Sequence, residues 1–364
     1  MIPIKNLYYM LSYAFQNLKE NGYKKFAEEE FENAADLLAA ILIKGVSIQL
    51  KQGLARDYIV ETEPLTKLRG KTEIGESIRT NSMQKMQLVC SYDEYSSNTK
   101  MNRILKATMS LLLGADIEPE RKKDLKKLLI YFNGFDSISL NRIDWHFRFN
   151  KNNQSYRFLM SICNLVVDGL LQTQEDGSRR LMDFLDEQRM CRLYEKFILE
   201  YYVKHYRYLS PASVSLKWPV ENGYEELLPE MRTDVTLTKG DKVLIIDAKY
   251  YTRSMQVYHD KHTIHSANLY QLFTYVKSKE FEMQKIPHEE SGMQKIPHEE
   301  SWMQKMPYEV SGMLLYAKTD DIHQPDPKEP YLMSGNKIMV RTLDLNCDFD
   351  QVKKQLDDII KELF

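Results

Sequence analysis

The chain has 364 residues, of which 43% are apolar and 28% charged, with 14 Gly and 12 Pro. This composition is typical of a globular protein with one large or two ordinary domains, and it excludes a fibrous or broadly disordered chain. The formal net charge of −2 excludes a global basic field. Any contact with nucleic acid must therefore come from a local patch or through a partner.

Neither a membrane anchor nor secretion is predicted. The most apolar stretch, Ala34 to Ile43, contains Asp36 and is about half the length that a spanning helix needs. The N-terminus carries Lys5 where a signal peptide would be apolar. The four cysteines are scattered without a CxxC pair, as expected of reduced thiols. We therefore expect a cytoplasmic protein without membrane contact.

In chain order, the first half is predicted to be mixed and mostly helical. Apolar side chains repeat at helical spacing near residues 7–15, 31–42, 102–113 and 158–171. A stretch rich in Gly and charged residues, Gly53 to Ser82, separates the second helix from the third. The polar segment Gln172–Arg180 is the predicted boundary, which gives domains at residues 1–175 and 176–364.

The second half begins with a helix and then changes to short strands. Strands are predicted at residues 213–220, 232–238 and 242–250. The last is a near-continuous apolar run, typical of a strand buried on both faces. Gly240 and Asp241 form the turn that joins it to the preceding strand as a hairpin. A helix capped by Ser266, a strand over Met313–Ala317 and an amphipathic C-terminal helix follow.

Three tandem decapeptides occupy residues 283–312. The first two match at nine of ten positions, and the first and third match at seven. A ten-residue period with a central Pro is too short and too polar for a solenoid repeat. We predict a duplicated loop insertion, in which His288 and His298 are copies of one residue and not metal ligands.

The segment with the clearest chemistry contains Asp234, Asp247, Ala248 and Lys249. Side chains alternate along a strand, so Asp247 and Lys249 point to one face, and the hairpin can bring Asp234 beside them. Two carboxylates with the Ala248 carbonyl offer hard oxygen ligands to Mg²⁺, and a lysine can orient or deprotonate a water and neutralise charge on a phosphate. Structural pairing of Lys249 with either Asp at a strand end is the alternative reading.

A helix after these strands carries Gln271 and Tyr275, four residues apart on one face. Gln271 could brace the lysine or a phosphate, and Tyr275 could stack or hydrogen-bond. A surface Gln and a core Tyr would explain them equally well.

These residues resemble the PD-(D/E)xK nuclease superfamily, and nearly the whole chain resembles the McrC family of McrBC-type modification-dependent restriction systems. The resemblance is carried, in order, by IPIKNLYYMLSYAF (2–15), LRGKTEIGESIR (68–79), RTDVTL (232–237), LIIDAKYY (244–251) and NLYQLFTY (268–275). It implies an α/β protein, with an α+β N-terminal domain followed by a restriction-endonuclease-like core of a mixed sheet flanked by helices.

The resemblance also implies residue roles. Asp234, Asp247 and Lys249 match the catalytic acid, acid and lysine, although Thr233 replaces the proline before the first acid. Some superfamily members add a metal-binding Glu from the preceding helix, for which Glu195 is the candidate, although a surface helix position is the commoner explanation. The expected cofactor is Mg²⁺ or Mn²⁺.

The family further implies a partner, a hexameric McrB-like AAA+ GTPase that binds GTP, docks on the N-terminal domain and is stimulated by it. The stimulating residue is expected among the Arg and Lys of Gly53–Lys100. The implied substrate is double-stranded DNA carrying 5-methylcytosine, which the partner would read. Two alternatives stay open: a regulatory adaptor of the GTPase with a dispensable nuclease, and a stand-alone RecB-like nuclease.

Overall fold

The fold comes from a computed structural model. It describes residues 2–15, 18, 23, 26, 28–150, 153–175, 187–220, 223, 225–258, 261–284, 308–327 and 329–364. Within these residues, no helix is long and apolar enough to cross a membrane. Residues 285–307 of the decapeptides lie outside the described ranges, so the loop predicted there stays a prediction. At the two ends the prediction of a loop is wrong, because residues 283–284 lie in a helix and the strand predicted from Met313 already begins at Glu309.

The helices in chain order are α1 (Ile4–Ala14), α2 (Ala34–Gln52), α3 (Ile74–Arg79), α4 (Lys100–Leu113), α5 (Pro119–Leu129), α6 (Tyr156–Glu175), α7 (Glu187–His205), α8 (Ser266–Gln284) and α9 (Phe349–Leu363). The strands are β1 (Asp57–Leu65), β2 (Lys71–Thr72), β3 (Leu88–Ser96), β4 (Ser215–Leu216), β5 (Met231–Arg232), β6 (Val235–Lys239), β7 (Lys242–Lys249), β8 (Gln256–Tyr258), β9 (Lys261–Thr263), β10 (Glu309–Ala317), β11 (Tyr331–Met333) and β12 (Asn336–Leu343).

The chain divides into two compact units. The terminal unit combines Met1–Glu20 with Leu185–Phe364, and the inserted unit is Asn21–Phe184. The division after Phe184 falls close to the predicted boundary. The first 20 residues, however, belong with the C-terminal half and not with the N-terminal domain.

Contacts of α1 within the terminal unit explain this difference. The Asn6 side chain donates to the carbonyl oxygens of Leu345 (2.8 Å) and Cys347 (2.7 Å). The Tyr9 ring stacks on Phe349 at 4.4 Å between centroids. These residues are more than three hundred positions apart in the sequence, so helical periodicity alone could not assign α1 to a unit.

The inserted unit combines a helical cluster with a small antiparallel sheet. Helix α2 begins after Asn33, whose side chain accepts a hydrogen bond from the Asp36 N–H at 2.9 Å. It is buried along most of its length against α4, α5 and α6. The sheet has the order β1-β3-β2, and β1 pairs with β3 from Asp57↔Ser96 to Leu65↔Leu88.

The terminal unit is built on a five-stranded mixed sheet with the order β11-β12-β10-β7-β6. Strands β7, β10 and β12 are parallel, and β6 and β11 run antiparallel to their neighbours at the two edges. Helices α7, α8 and α9 pack against this sheet. The predicted α/β class, with a mixed sheet flanked by helices, is confirmed.

The apolar residues of β7 are buried by neighbours on both sides, as the sequence predicts. Helix α8 lies over β10 at Gly312, where an added Cβ would come within 2.8 Å of Val276 and 2.9 Å of Leu272. Only a glycine permits this approach. It brings the polar face of α8 beside the carboxyl end of β7, where the candidate site lies.

Candidate active site

The first acid, Asp234, lies in the short connection between strands β5 and β6. A single strand over residues 232–238 is predicted, but the chain forms β5, which pairs with β4, and then β6, which pairs with β7, with Thr233 and Asp234 between them. The buried Thr233 hydroxyl hydrogen-bonds to Thr236 at 2.9 Å. Since Val235 pairs with Ile246 in the antiparallel register, the next step places Asp234 opposite Asp247. The Ala248 N–H confirms this arrangement by donating to Asp234 Oδ2 at 2.8 Å.

The lysine lies beside the second acid, as the alternation of side chains along β7 predicts. Lys249 Nζ is 2.9 Å from Asp247 Oδ2 in an ion pair, with the two side chains only 11% and 1% exposed. The structure therefore brings Asp234, Asp247 and Lys249 together at the carboxyl end of β7. Their catalytic roles stay a prediction.

The Asp247 carboxylate is buried but makes few polar contacts that would compensate for its burial. Both of its oxygens are inaccessible, and neither has a hydrogen bond of ordinary geometry with any described residue. Lys249 is its one cationic partner within 4 Å in that part of the chain, and the Asp234 carboxyl lies close enough to interact with it. A buried carboxylate oxygen without a hydrogen bond costs free energy, so this position is expensive for stability alone.

Two further residues predicted as accessory connect to Lys249. Lys249 Nζ donates to Gln271 Oε1 at 3.1 Å, and Gln271 Nε2 donates to the Tyr275 hydroxyl at 2.9 Å. The amide thus orients the lysine at one end and the phenol at the other. The Tyr275 O–H itself has no acceptor among the described residues, which leaves its proton available for a ligand.

Glu195, the third candidate acid, projects from α7. Its Oε1 accepts a hydrogen bond from the Cys191 thiol at 3.1 Å. Its negative charge is close enough to act on both aspartates. The Glu is thus near the site as predicted, and its role as a metal ligand stays a prediction.

Burial and like charge change the protonation of this cluster. Burial, followed by the charges of Asp247 and Glu195, raises the pKa of Asp234 to about 8. Burial also raises the pKa of Asp247, and the adjacent Lys249 only partly offsets it. For Lys249, burial favours a lower pKa, but the negative charge of Asp247 at 2.9 Å outweighs it and raises the pKa above its usual value.

The donor set fits a hard divalent cation. Asp234 and Asp247 supply carboxylate oxygens, and those of Asp247 lack hydrogen bonds within the described chain. Among the described residues, no three His, Cys, Asp or Glu side chains cluster as a complete metal site. Two carboxylates suit Mg²⁺, which keeps several waters and takes few protein ligands. The Ala248 carbonyl as a third ligand stays a prediction.

Sequence reasoning missed a second network beside the site. Tyr316 pairs with Lys249 in the parallel register of β10 and β7. Asn268, buried in the first turn of α8, donates to the Tyr316 hydroxyl at 3.0 Å and accepts from Tyr251 at 3.0 Å. Asn268 and Tyr251 both lie in segments that carry the family resemblance. For Tyr316, an apolar strand pattern gives no sign that its hydroxyl lies beside a lysine.

The sheet and the candidate site define a class of protein. Its members are mixed α/β proteins with two buried carboxylates and a lysine at the carboxyl end of a central strand. Residues 4–286 match the family model described as McrBC 5-methylcytosine restriction system component. The chain belongs to this family.

A relative and two solved structures are similar to the chain. It is 29% identical to the Type IV methyl-directed restriction enzyme EcoKMcrBC of Escherichia coli K12, over 100% of this chain and 98% of that protein. It resembles the half-complex of Thermococcus gammatolerans McrB AAA+ hexamers with bound McrC (TM-score 0.48, 17% identity), over 100% of this chain and 76% of that one. The cryo-EM McrBC complex of the same organism gives a TM-score of 0.38 and 18% identity, over 69% of this chain and 63% of that one.

Proposed function

We propose that this chain is the metal-dependent DNA endonuclease subunit of a 5-methylcytosine restriction complex and works with an AAA+ GTPase whose GTP hydrolysis it stimulates. The observation that carries the nuclease assignment is the convergence of Asp234, Asp247 and Lys249 at one buried strand end. Family membership supports the restriction system. The relatives that are complexes of McrB and McrC suggest the partner.

Each residue has a task that its contacts support. Asp234 and Asp247 would hold Mg²⁺ through their carboxylates. When bound, the metal polarises the scissile phosphate and lowers the pKa of a coordinated water. Lys249 is held as an ammonium by the two acids, since its pKa is raised. As an ammonium it would act as a hydrogen-bond donor and positive charge toward the phosphate.

The Gln271–Tyr275 pair fits the same chemistry. Gln271 fixes the direction of the Lys249 ammonium, and it leaves the Tyr275 proton free to donate to a phosphate oxygen. A positioned donor contributes most where charge develops on the phosphate. In this proposal Gln271 and Tyr275 thus act toward the phosphate, Gln271 through Lys249 and Tyr275 through its own O–H.

The weak net charge supports dependence on a partner. A chain with a formal charge of −2 does not attract DNA from a distance. In this proposal the GTPase subunit recognises methylated cytosine and brings the duplex to the candidate site at the carboxyl end of β7.

Plasmid cleavage tests the proposal directly. Methylated and unmethylated plasmids are incubated with Mg²⁺, GTP and the chain, with and without the GTPase subunit of its system. We expect cleavage of methylated DNA only with both subunits, and none with Asp247→Asn. Cleavage by the chain alone would support a stand-alone nuclease. GTP turnover without any cleavage would support the adaptor alternative.

A further inference from the structure

One segment of the inserted unit has an alternating, strand-like pattern but pairs with no strand among the described residues. Residues 143–149 (IDWHFRF) alternate strictly between half-buried and exposed side chains. The half-buried side chains are Ile143, Trp145, Phe147 and Phe149. Ring centroids are 6.3 Å apart between Trp145 and Phe147 and 6.0 Å between Phe147 and Phe149. Two residues of an extended chain advance about 6.6 Å, so the alternation and the ring spacing match an extended segment that is not part of any sheet among the described residues.

This segment is fixed on one face by neighbouring cations. Lys100 Nζ lies 5.0 Å from the centre of the Phe147 ring, and the Arg157 guanidinium lies 5.4 Å from that of Phe149. Such cation–π contacts add to the burial of the rings. Side-chain contacts therefore fix this extended segment, which has no ladder of backbone hydrogen bonds with any described residue.

The two edges of the segment differ. In a strand, the N–H and C=O of one residue point to the same edge, and those of the next residue point to the other. On the even-numbered edge, Lys100 Nζ donates to the Asp144 carbonyl at 2.6 Å, and the His146 N–H donates to Asp144 Oδ1 at 3.0 Å. That edge is partly satisfied by local side chains.

The odd-numbered edge is open. The backbone N–H and C=O groups of Trp145, Phe147 and Phe149 have no hydrogen-bonding partner within the described residues. Over seven residues the edge is roughly 20 Å long, the length of an ordinary strand. Unpaired strand edges are templates for pairing with a strand of another chain.

We infer that this edge is a docking strand, on which an extended segment of the GTPase partner pairs with Trp145, Phe147 and Phe149 by β-augmentation. The charges favour an acidic strand. Arg142 and Arg148 are exposed and have no acidic partner in the described chain, whereas Asp144 is already engaged by His146 at 2.7 Å. The inference rests on the proposed function for the identity of the partner.

Amide hydrogen exchange on the full-length chain tests the inference. In the chain alone, we expect the amides of Trp145, Phe147 and Phe149 to exchange freely. In the complex with the purified GTPase subunit, the same amides should exchange at least tenfold more slowly. A complex that forms and cleaves DNA without this protection would overturn the docking strand and leave the proposed function intact. Absence of any complex would overturn both.

Matched substitutions separate backbone pairing from side-chain packing. Phe147→Ala and Phe147→Pro both remove the ring, but only the proline removes the N–H from the open edge. We expect Phe147→Pro to bind the GTPase subunit at least tenfold more weakly than Phe147→Ala. Arg148→Pro removes an N–H from the other edge and should bind like Arg148→Ala. Equal losses in the two proline variants would overturn the assignment of the edge.

A second copy of this chain is the competing occupant. Protection of Trp145, Phe147 and Phe149 in the chain alone that increases with its concentration would show self-pairing, and it would overturn the inference. Sedimentation of the chain alone over the same concentrations gives the matching oligomeric state.

Discussion

Two buried aspartates, one in each unit, have opposite surroundings. Asp36 in the inserted unit and Asp247 in the terminal unit have side chains only 3% and 1% exposed. Asp36 Oδ1 accepts from Arg121 Nε at 2.7 Å and from the Glu118 N–H at 3.0 Å. Arg121 is held in turn by Glu29 at 2.9 Å. Asp247 has one lysine and no ordinary hydrogen bond in the described chain.

The difference separates a structural charge from a functional one. A buried carboxylate whose hydrogen bonds are satisfied stabilises a particular packing, because removing its partner leaves an uncompensated charge. A buried carboxylate with unsatisfied oxygens lowers the stability of the fold, and such groups are typical of functional sites. The two aspartates should therefore respond in opposite ways to substitution.

The largest effect is expected on cleavage. Asp247→Asn should lower the rate of DNA cleavage by the two-subunit complex on the order of 10³-fold or more, because a metal ligand is lost. Its thermal stability should stay close to that of the wild type, because the loss of a poorly satisfied buried carboxylate offsets the loss of the Lys249 ion pair, and the charge of Asp234 remains near Lys249. Asp241→Asn, in the exposed turn of the same hairpin, is the matched control and should cleave normally. Destabilisation by Asp247→Asn would refute the contrast with Asp36.

The reverse result is expected at the paired aspartate. Arg121→Met leaves Asp36 buried without its cation and should destabilise the inserted unit by about 3–5 kcal/mol. Urea unfolding followed by hydrogen exchange in α2 measures this loss. Arg79→Met breaks an exposed pair with Glu76 and should change stability little. If both variants unfold alike, the ion pair of Asp36 and Arg121 does not stabilise the inserted unit.

A smaller effect is expected from pH and metal. The raised pKa of Asp234, about 8 against a reference of 3.8, means that the folded chain retains a proton that the unfolded chain releases. Metal-free stability should therefore fall as pH rises between these values. Mg²⁺ binds the ionised carboxylates, so its stabilising effect should grow over the same range.

Thermal melting with and without Mg²⁺ at pH 5 and pH 8 measures this dependence. Asp234→Asn should flatten the metal-free pH dependence and remove most of the Mg²⁺ effect. Mg²⁺ stabilisation that is equal at both pH values would show that the acids are not its ligands.

The smallest effect is expected at the accessory pair. Gln271→Ala removes one hydrogen bond to Lys249 and one to Tyr275, and it should slow cleavage about 2–10-fold, the value of one ordinary hydrogen bond. Tyr275→Phe keeps the ring and should have a similar effect through the lost O–H. Thr274→Ala, on the same helix, is the control. A loss as large as that of Asp247→Asn would place Gln271 among the catalytic residues.

The sequence predicted the terminal-unit site better than the inserted unit. Period-two alternation and one turn at Gly240 were enough to place Asp234, Asp247 and Lys249 together, because all three lie within one hairpin. Helical spacing of four residues likewise aligned Gln271 with Tyr275. These are local rules, and local rules can be read from a single sequence.

What could not be predicted depends on contacts distant in sequence. Tyr316 reaches Lys249 only through the parallel pairing of β10 with β7, across the decapeptide insertion. Strand β1 lies within the Gly- and charge-rich stretch Gly53–Ser82, and it forms a ladder with β3, which lies beyond that stretch. A strand pattern does not show the interruption at Thr233 and Asp234, where the Thr233 hydroxyl bonds to the distant Val214 backbone and to the Thr236 hydroxyl.

The assignment of α1 to the terminal unit has a consequence for synthesis on the ribosome. The carbonyl partners of Asn6 are Leu345 and Cys347, so α1 emerges long before its partners exist. The inserted unit, Asn21–Phe184, has all of its residues available much earlier. Since domains fold as units during translation, we expect the inserted unit to fold first. Helix α1 would dock only after Leu345 and Cys347 have been synthesised. Premature release of the chain should therefore yield a folded inserted unit without the candidate active site.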